Sequence, residues 1–328
     1  MTIEIKTSTL EPIRNTYANI ERRFGDKPAT RYQEATYDLQ AETNFHYRPL
    51  WQPDKELNDK TRTKIVMEDW YALKDPRQFY YGAYVQQRAK MQEQAENNYA
   101  FFEKRDLQAY LSESSKEKII RFLIPVRHIE HTANLNNMYA CSFGYGTALT
   151  QALVYNAMDR LGIAQYLSRI GLLIDGNSGD SLIQAKEHWM QDPIWQGVRA
   201  LCEELTTVED WFEVMLAQNL VMDSLVYELF IDQLDQALNA EGARDIAMLL
   251  EFMQQWNKET TRWFDSVIKT VASESAANAE QMSIWVKHWR AKAAEAFAPV
   301  IHALFDETSL QQALTLLDNR SRKAGLTL

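Results

Sequence analysis

The chain has 328 residues, enough for one large domain or two of ordinary size. Its 45 acidic and 35 basic side chains give a net charge of −10, which argues against nucleic-acid binding, because that binding depends on neutralising phosphates. With 46% hydrophobic residues, 11 glycines and 8 prolines, the composition favours long helices around a large core over many short strands.

Three features of the sequence predict a cytoplasmic protein. The two cysteines, Cys141 and Cys202, lie in apolar segments and indicate a reducing compartment. The first residues, MTIEIKTSTLEP, lack the basic start and apolar segment of a signal peptide. No apolar run reaches the roughly 20 residues that cross a bilayer, so no membrane association is expected.

Residues 1–62 differ from the rest of the chain. They contain half of the prolines and no extended helical period, yet they are rich in aromatic side chains, which solvated disordered segments lack. The aromatic residues are Tyr17, Phe24, Tyr32, Tyr37, Phe45, Tyr47 and Trp51. We predict an extended N-terminal arm that packs either on the body of the chain or on a partner subunit.

Residues 63–328 have the apolar spacing of amphipathic helices. The predicted helices span residues 77–104, 115–143, 147–170, 180–190, 195–205, 206–240, 243–272, 275–297 and 310–323. Ser114 and Thr206 are each followed three residues later by Glu, as in a capping box. Pro125 is expected to kink its helix and Pro299 to follow the end of another. No alternating strand pattern is present, so the chain is predicted to be all-α.

The order of the long helices favours a ferritin-like bundle. Two helices are joined at residues 144–146, an irregular connection follows, and two more helices are joined at Gly242. A helix pair, a crossover and a second helix pair is the ferritin-like arrangement. Proteins with this arrangement often carry a di-iron centre, whose ligands follow a recognisable sequence pattern.

A ferritin-like di-iron centre needs two Glu residues and two Glu-x-x-His motifs. The residues three positions before the six histidines are Thr43, Pro125, His128, Ala185, Trp285 and Pro299. None is acidic, so the motif is absent. His128 and His131, with Glu130 between them, remain a candidate metal cluster, although packing or hydrogen bonding is the commoner role of a helical histidine.

Several segments resemble one protein family. They are FHYRPLW (45–51), LIPVRHIEHTANLNNMYA (123–140), AQNLVMDSLVYELF (217–230) and QQWNKETTRW (254–263). In these segments, and over nearly the whole chain, the sequence resembles the β subunits of bacterial multicomponent monooxygenase hydroxylases, the phenol hydroxylase group in particular.

The resemblance implies a role without catalysis. In that family the α subunit holds a carboxylate-bridged di-iron centre and performs O2- and NADH-dependent hydroxylation of an arene such as phenol. The β subunit is its ferritin-like paralogue without metal, and the assembly is a dimer of αβγ units served by a regulatory protein and an NADH-dependent reductase. The resemblance therefore implies no catalytic residue, cofactor or metal in this chain, and an arm that wraps the α subunit.

The resemblance also implies where the ligands of the paralogue were lost. Asp159 and Gly162 stand where the α subunits carry the first Glu-x-x-His, Asp223 where they carry the lone Glu, and Glu259 and Arg262 where they carry the second motif. Arg262 is expected to pair with facing carboxylates and to fill the volume of the iron, which a guanidinium cannot ligate.

Two alternatives remain open at this point. One is an autonomous ferritin-like di-iron oxidoreductase that uses His128, His131 and nearby Glu carboxylates. The other is a helical scaffold protein with no enzyme partner. On the first helix of the bundle, Arg127, Glu130 and His131 are all candidates to face inward.

Overall fold

The computed structural model describes residues 13–42 and 46–328. Within these ranges the chain forms 14 α-helices and no β-strand, so the all-α prediction is confirmed. In chain order they are α1 (Ala18–Phe24), α2 (Arg31–Thr36), α3 (Tyr81–Lys104), α4 (Glu113–Lys118), α5 (Val126–Phe143), α6 (Thr147–Ile174), α7 (Asp180–Gln191), α8 (Pro193–Leu205), α9 (Trp211–Leu216), α10 (Asp223–Val226), α11 (Leu234–Ala240), α12 (Ile246–Glu274), α13 (Ala276–Leu304) and α14 (Glu307–Lys323).

Several helix ends differ from the sequence prediction because polar side chains form local turns. Helix α3 begins at Tyr81, since the Asp75 carboxylate accepts the Arg77 backbone N–H at 2.8 Å and Gln78 has a φ of +53°, which no helix tolerates. Ser112 and Asp210 are the N-caps of α4 and α9, in place of the predicted Ser114 and Thr206.

Pro125 and Pro299 affect their helices in different ways. Pro125 lies between α5 and a π-helical turn, Ile119–Leu123, which connects α4 to α5 and takes up the irregularity that a proline introduces. Helix α13 continues through Pro299 to Leu304, so the predicted end at residue 297 is wrong. Pro299 has no backbone N–H to donate, and α13 continues past it to Leu304.

Helices α9, α10 and α11 form one continuous helix, Trp211–Ala240, with two π-helical segments at Ala217–Met222 and Tyr227–Gln233. Its length and composition are those of a helix that could cross a membrane. However, 89% of its most apolar 18-residue stretch is buried inside the protein. The apolar character of this helix is that of a core helix, because most of its side chains are buried against neighbouring helices.

Four elements surround the core: α5, α6, the helix Trp211–Ala240, and α12. Helix α5 packs along α6 and also contacts α9, while α12 contacts both π-helical segments and α6. Helices α3, α8, α13 and α14 pack outside this group, with α3 on α12 and α8 and α14 on α13. The inward-facing side chains of the four core elements therefore meet along one axis.

Part of the arm packs on the body of the chain. Ile20, Tyr32 and Tyr37, from α1 and α2 and their flanks, form a small buried cluster with Tyr71 and Ala148. In contrast, the arm exposes some large apolar side chains, and the wrapping of a partner by residues 1–62 stays a prediction. Phe45 and the first 12 residues lie outside the described ranges.

Candidate functional site

The centre of the bundle contains a buried arginine held between two carboxylates. Arg160 of α6 donates from Nη1 to Glu130 Oε2 at 3.1 Å and from Nη2 to the Asp223 carboxylate. Nη2 also lies 3.2 Å from the Asn219 Oδ1 acceptor. Arg160 is 0% exposed, Glu130 1% and Asp223 4%. The three charged groups are thus removed from water together.

Each charged group of this cluster comes from a different core element. Glu130 lies on α5, Arg160 on α6 and Asp223 at the start of α10. Tyr227, one helical turn after Asp223, donates its hydroxyl to Glu130 Oε1 at 3.0 Å. We call Glu130, Arg160, Asn219, Asp223 and Tyr227 the inner cluster. Helix α12 contributes the Trp256 ring, which lies against the guanidinium.

A chain of buried amides continues the inner cluster along the axis. Gln218 donates to Asp223 Oδ1 at 3.0 Å, and Asn136 donates to Gln218 Oε1 at 2.9 Å. Asn137 Oδ1 accepts from Asn156 and from Asn219, both at 2.9 Å. Gln218 and Asp223 are five residues apart, which is the hydrogen-bond spacing of a π-helix. The π-helical segment therefore turns both side chains toward the core.

Burial and charge determine the pKa values of the inner cluster. Burial lowers the pKa of Arg160, but the carboxylates of Asp223 and Glu130 outweigh that effect and hold it above its usual value. Burial raises the pKa of Glu130, and the Arg160 charge opposes the rise. Burial and the Glu130 charge raise the pKa of Tyr227 well above its usual value, so its hydroxyl keeps its proton and remains a donor.

A second group of charges lies nearer the surface, between α3, α6 and α12. Arg88 of α3 donates to both carboxylate oxygens of Asp159, at 2.8 Å each, and to Glu259 Oε1 at 2.9 Å. Tyr84 and Trp256 also donate to Asp159, at 2.9 and 2.8 Å. We call Tyr84, Arg88, Asp159 and Glu259 the outer cluster. It borders an open cleft of about 290 Å³.

Three of the positions that the resemblance aligns with di-iron ligands lie in these two clusters. Asp223 belongs to the inner cluster, whereas Asp159 and Glu259 belong to the outer one. Gly162 lines the open cleft, and a Cβ atom there would meet nothing within 4 Å. Their equivalence to di-iron ligand positions stays a prediction.

The expected pairing of Arg262 is wrong. Arg262 is exposed, and its Nε donates to the backbone oxygen of Lys258 at 3.2 Å. The cation between core carboxylates is Arg160, which the sequence analysis did not single out. Its signal was the charged pair Asp159-Arg160 in the middle of a largely apolar helix.

The two candidate histidines lie away from the inner cluster. His128 stacks on Trp189 of α7, with ring centroids 5.5 Å apart and planes 20° apart, while His131 is exposed. Burial, followed by the nearby Arg127 charge, lowers the pKa of His128 to about 4. Of the three residues that were candidates to face inward on this helix, Glu130 is the one that lies in the core.

The residues of the inner cluster do not fit a di-iron centre. Such a centre needs two imidazoles and four carboxylates around the metals, whereas here a permanently charged guanidinium lies between two carboxylates and pairs with both. In the ranges 13–42 and 46–328, no three His, Cys, Asp or Glu side chains come together in a metal-binding arrangement.

The sequence and fold are similar to those of known proteins. Residues 51–275 match the family model described as methane/phenol/alkene hydroxylase. The chain belongs to this family. It is 57% identical to the phenol 2-monooxygenase oxygenase component of Acinetobacter pittii, over 99% of this chain and 98% of the relative. The predicted resemblance to the phenol hydroxylase group and the assignment to a monooxygenase family are confirmed.

Two further relatives bear on the fold and on the subunit type. A crystal structure of phenol hydroxylase from Pseudomonas sp. OX1 contains a chain that superposes with a TM-score of 0.94, at 50% identity and 99% coverage of both chains. The β subunit of the toluene-4-monooxygenase hydroxylase component of Ectopseudomonas mendocina is 22% identical, over 84% of this chain and 87% of that one. The ferritin-like fold predicted from the sequence is thereby confirmed.

Proposed function

We propose that this chain is the non-catalytic β subunit of a multicomponent aromatic hydroxylase. Its partner α subunit would carry the di-iron centre and perform O2- and NADH-dependent hydroxylation of phenol or a related arene. The similarity to phenol 2-monooxygenase oxygenase components supports the reaction class, and the similarity to a named β subunit supports the subunit type.

The observation that carries the proposal is the position of Arg160. In a ferritin-like bundle the space between the four core helices is where the metals bind. In this chain that space holds a guanidinium that pairs with Glu130 and Asp223. Because a guanidinium stays protonated and has no lone pair to offer a metal, the core stabilises the subunit and supports no redox chemistry of its own.

The partners follow from the same proposal. We infer that the chain binds the α and γ hydroxylase subunits in a dimer of αβγ units, in the cytoplasm, with a regulatory protein and an NADH-dependent reductase as further components of the system. The N-terminal arm supports this inference, since Tyr47 is 87% exposed and Leu50 96% exposed. Apolar side chains of this size serve as interface anchors when a partner covers them.

Co-expression with a candidate di-iron α subunit tests the proposal. We expect the two chains to co-purify, and iron analysis of the separated chains to find the metal with the α subunit. Stoichiometric iron with a μ-oxo absorption band in this chain expressed alone would instead establish an autonomous di-iron oxidoreductase. Failure of the two chains to co-purify would favour the scaffold protein.

A further inference from the structure

A basic cleft lies on the surface between α12 and α14. It has a volume of about 520 Å³ and opens to solvent. Ten residues line it, among them Arg262, Lys269, Arg320 and Lys323. Four of them are cations, although the chain as a whole carries a net charge of −10.

The helical spacing directs the four cations to one space. Arg262 and Lys269 are seven residues apart on α12, which is two helical turns, so their side chains leave the same face. Arg320 and Lys323 are three residues apart in the last turn of α14 and also share a face. Cations at a helix C-terminus complement the helix dipole, but that effect does not explain the two cations within α12.

Few acidic groups balance these cations. Of the residues lining the cleft in the described ranges, Asp265 alone is acidic, and it accepts from Arg320 Nε at 2.6 Å. In the same ranges, no carboxylate lies within 4.0 Å of the charged nitrogens of Arg262, Lys269 or Lys323. The cleft therefore keeps a local excess of three positive charges.

Arg320 is held at the wall of the cleft by protein contacts. Its Nη1 donates to Ser224 Oγ at 2.9 Å and its Nε to Asp265. Its Nη2 is buried and has no hydrogen-bond partner among the residues that the structure describes. Because Nη2 is buried, it is out of reach of a ligand in the open cleft, and Arg320 contributes its positive charge to the cleft and not this donor.

We propose that this cleft binds a small oxyanion of the phosphate class. The cleft offers charged donors from two helices and neutral hydrogen-bonding groups from Thr261, Ser266 and Asn319 at its edge. A doubly charged tetrahedral oxyanion accepts several charge-assisted hydrogen bonds at once. The cations of the cleft that lack carboxylate partners can donate these bonds. The ligand is either free inorganic phosphate or the phosphoryl group of a small metabolite. The site is separate from the proposed subunit role.

Titration of the purified hydroxylase complex with inorganic phosphate, followed by calorimetry at constant ionic strength, tests the proposal. We expect saturable binding with one site per copy of this chain, which an equal concentration of chloride does not reproduce. A parallel titration with adenosine monophosphate distinguishes the two sources: tighter binding of the monophosphate identifies a phosphorylated metabolite, and tighter binding of phosphate identifies the free ion.

Two double variants with the same change in charge complete the experiment. Lys269→Gln/Lys323→Gln removes two exposed cations of the cleft, and we expect the phosphate Kd to rise by about tenfold or more. Lys90→Gln/Lys104→Gln removes two exposed cations of α3 and should leave the Kd unchanged. Binding without saturation, or an equal rise in both variants, overturns the site. Binding that occurs in the isolated chain and disappears in the complex also overturns it, because a partner then covers the cleft.

Discussion

The indole ring of Trp256 lies against the guanidinium of Arg160, with the Arg160 Cζ atom 4.5 Å from the ring centroid. The same indole donates its Nε1 hydrogen to Asp159 Oδ2 at 2.8 Å. Trp256 therefore contacts the inner cluster with its face and the outer cluster with its edge. It is the side chain through which the two groups of buried charge meet.

Replacing Trp256 by Phe keeps an aromatic ring beneath Arg160 and removes the N–H donor to Asp159. We expect the free energy of unfolding to fall by about 1–3 kcal/mol, the usual cost of leaving a buried acceptor without one of its donors. Urea unfolding followed by circular dichroism measures it. Trp51→Phe, at a half-exposed position, serves as the control and should change stability by less than about 0.5 kcal/mol.

Removing the central cation should destabilise the chain more strongly. Arg160→Met leaves Glu130 and Asp223 buried without a counter-charge, and breaking a buried ion pair in this way costs about 3–5 kcal/mol. Arg199→Gln breaks the exposed Arg199–Glu203 pair and should cost about 0–1 kcal/mol in the same urea assay. Equal unfolding midpoints for the two variants would contradict the role assigned to Arg160.

Arg88 and Arg262 allow a direct comparison of a paired and an unpaired arginine. Arg88 pairs with Asp159 and Glu259 in the outer cluster, whereas Arg262 is exposed. We expect Arg88→Gln to lower the free energy of unfolding by about 2 kcal/mol or more and Arg262→Gln to change it by about 0.5 kcal/mol at most. Thermal unfolding of both variants, measured side by side, checks the order. A larger loss for Arg262→Gln would restore its predicted place in the core.

The sequence predicts the helices well because their pattern is local. Apolar spacing and the glycines at 144, 146 and 242 locate the long helices to within a few residues, and Ser275, where one predicted helix begins, is the N-cap of α13. The ends that differ depend on single side chains, such as Asp75 and Asp210, that form turns or caps. In such turns and caps a side chain competes with the helix for backbone hydrogen bonds, and this competition cannot be read from the spacing of apolar residues.

The inner cluster depends on packing between distant segments. Glu130 and Arg160 are 30 residues apart, and Arg160 and Asp223 are 63 apart. Nothing in their local sequence says that they face each other. Arg262 was predicted to face the core and does not. It lies three positions after Glu259 and is therefore turned from it by about 60° around the helix. Glu259 itself lies at the edge of the core. That rotation is enough to direct Arg262 into the surface cleft.

The depressed pKa of His128 predicts a loss of stability in acid. With a folded-state pKa of about 4, against the usual 6.5, the unfolded chain takes up the proton first as the pH falls. The stability contributed by neutral His128 is therefore fully present above pH 6.5 and is lost progressively as the pH falls toward 4.

The variant His128→Phe keeps a ring against Trp189 and cannot be protonated. We expect its urea midpoint to fall less than that of the parent chain across this pH window. The exposed His302→Gln substitution is the control. Parallel pH profiles for His128→Phe and the parent chain would show that His128 makes no contribution to the acid sensitivity.

The exposed part of the arm should matter for assembly and not for folding. Tyr47→Ser/Leu50→Ser removes two large exposed apolar side chains, and we expect less of the co-expressed α subunit to co-purify, with an unchanged unfolding midpoint for the isolated chain. Ile183→Ser, on α7, removes an exposed apolar side chain outside the arm and serves as the control. Undiminished co-purification of the double variant would indicate that this part of the arm contacts no partner.

The arginine at the centre of the bundle also affects how the protein matures. A ferritin-like core whose carboxylates await metal depends on the metal supply of the cell to neutralise them, because binding and folding are then linked. Here the counter-ion is part of the chain, since Arg160 pairs with Glu130 and Asp223 when the helices assemble. We expect newly made chains to reach the same folded stability in iron-starved and iron-replete cells. Only the later loading of a partner would then respond to iron.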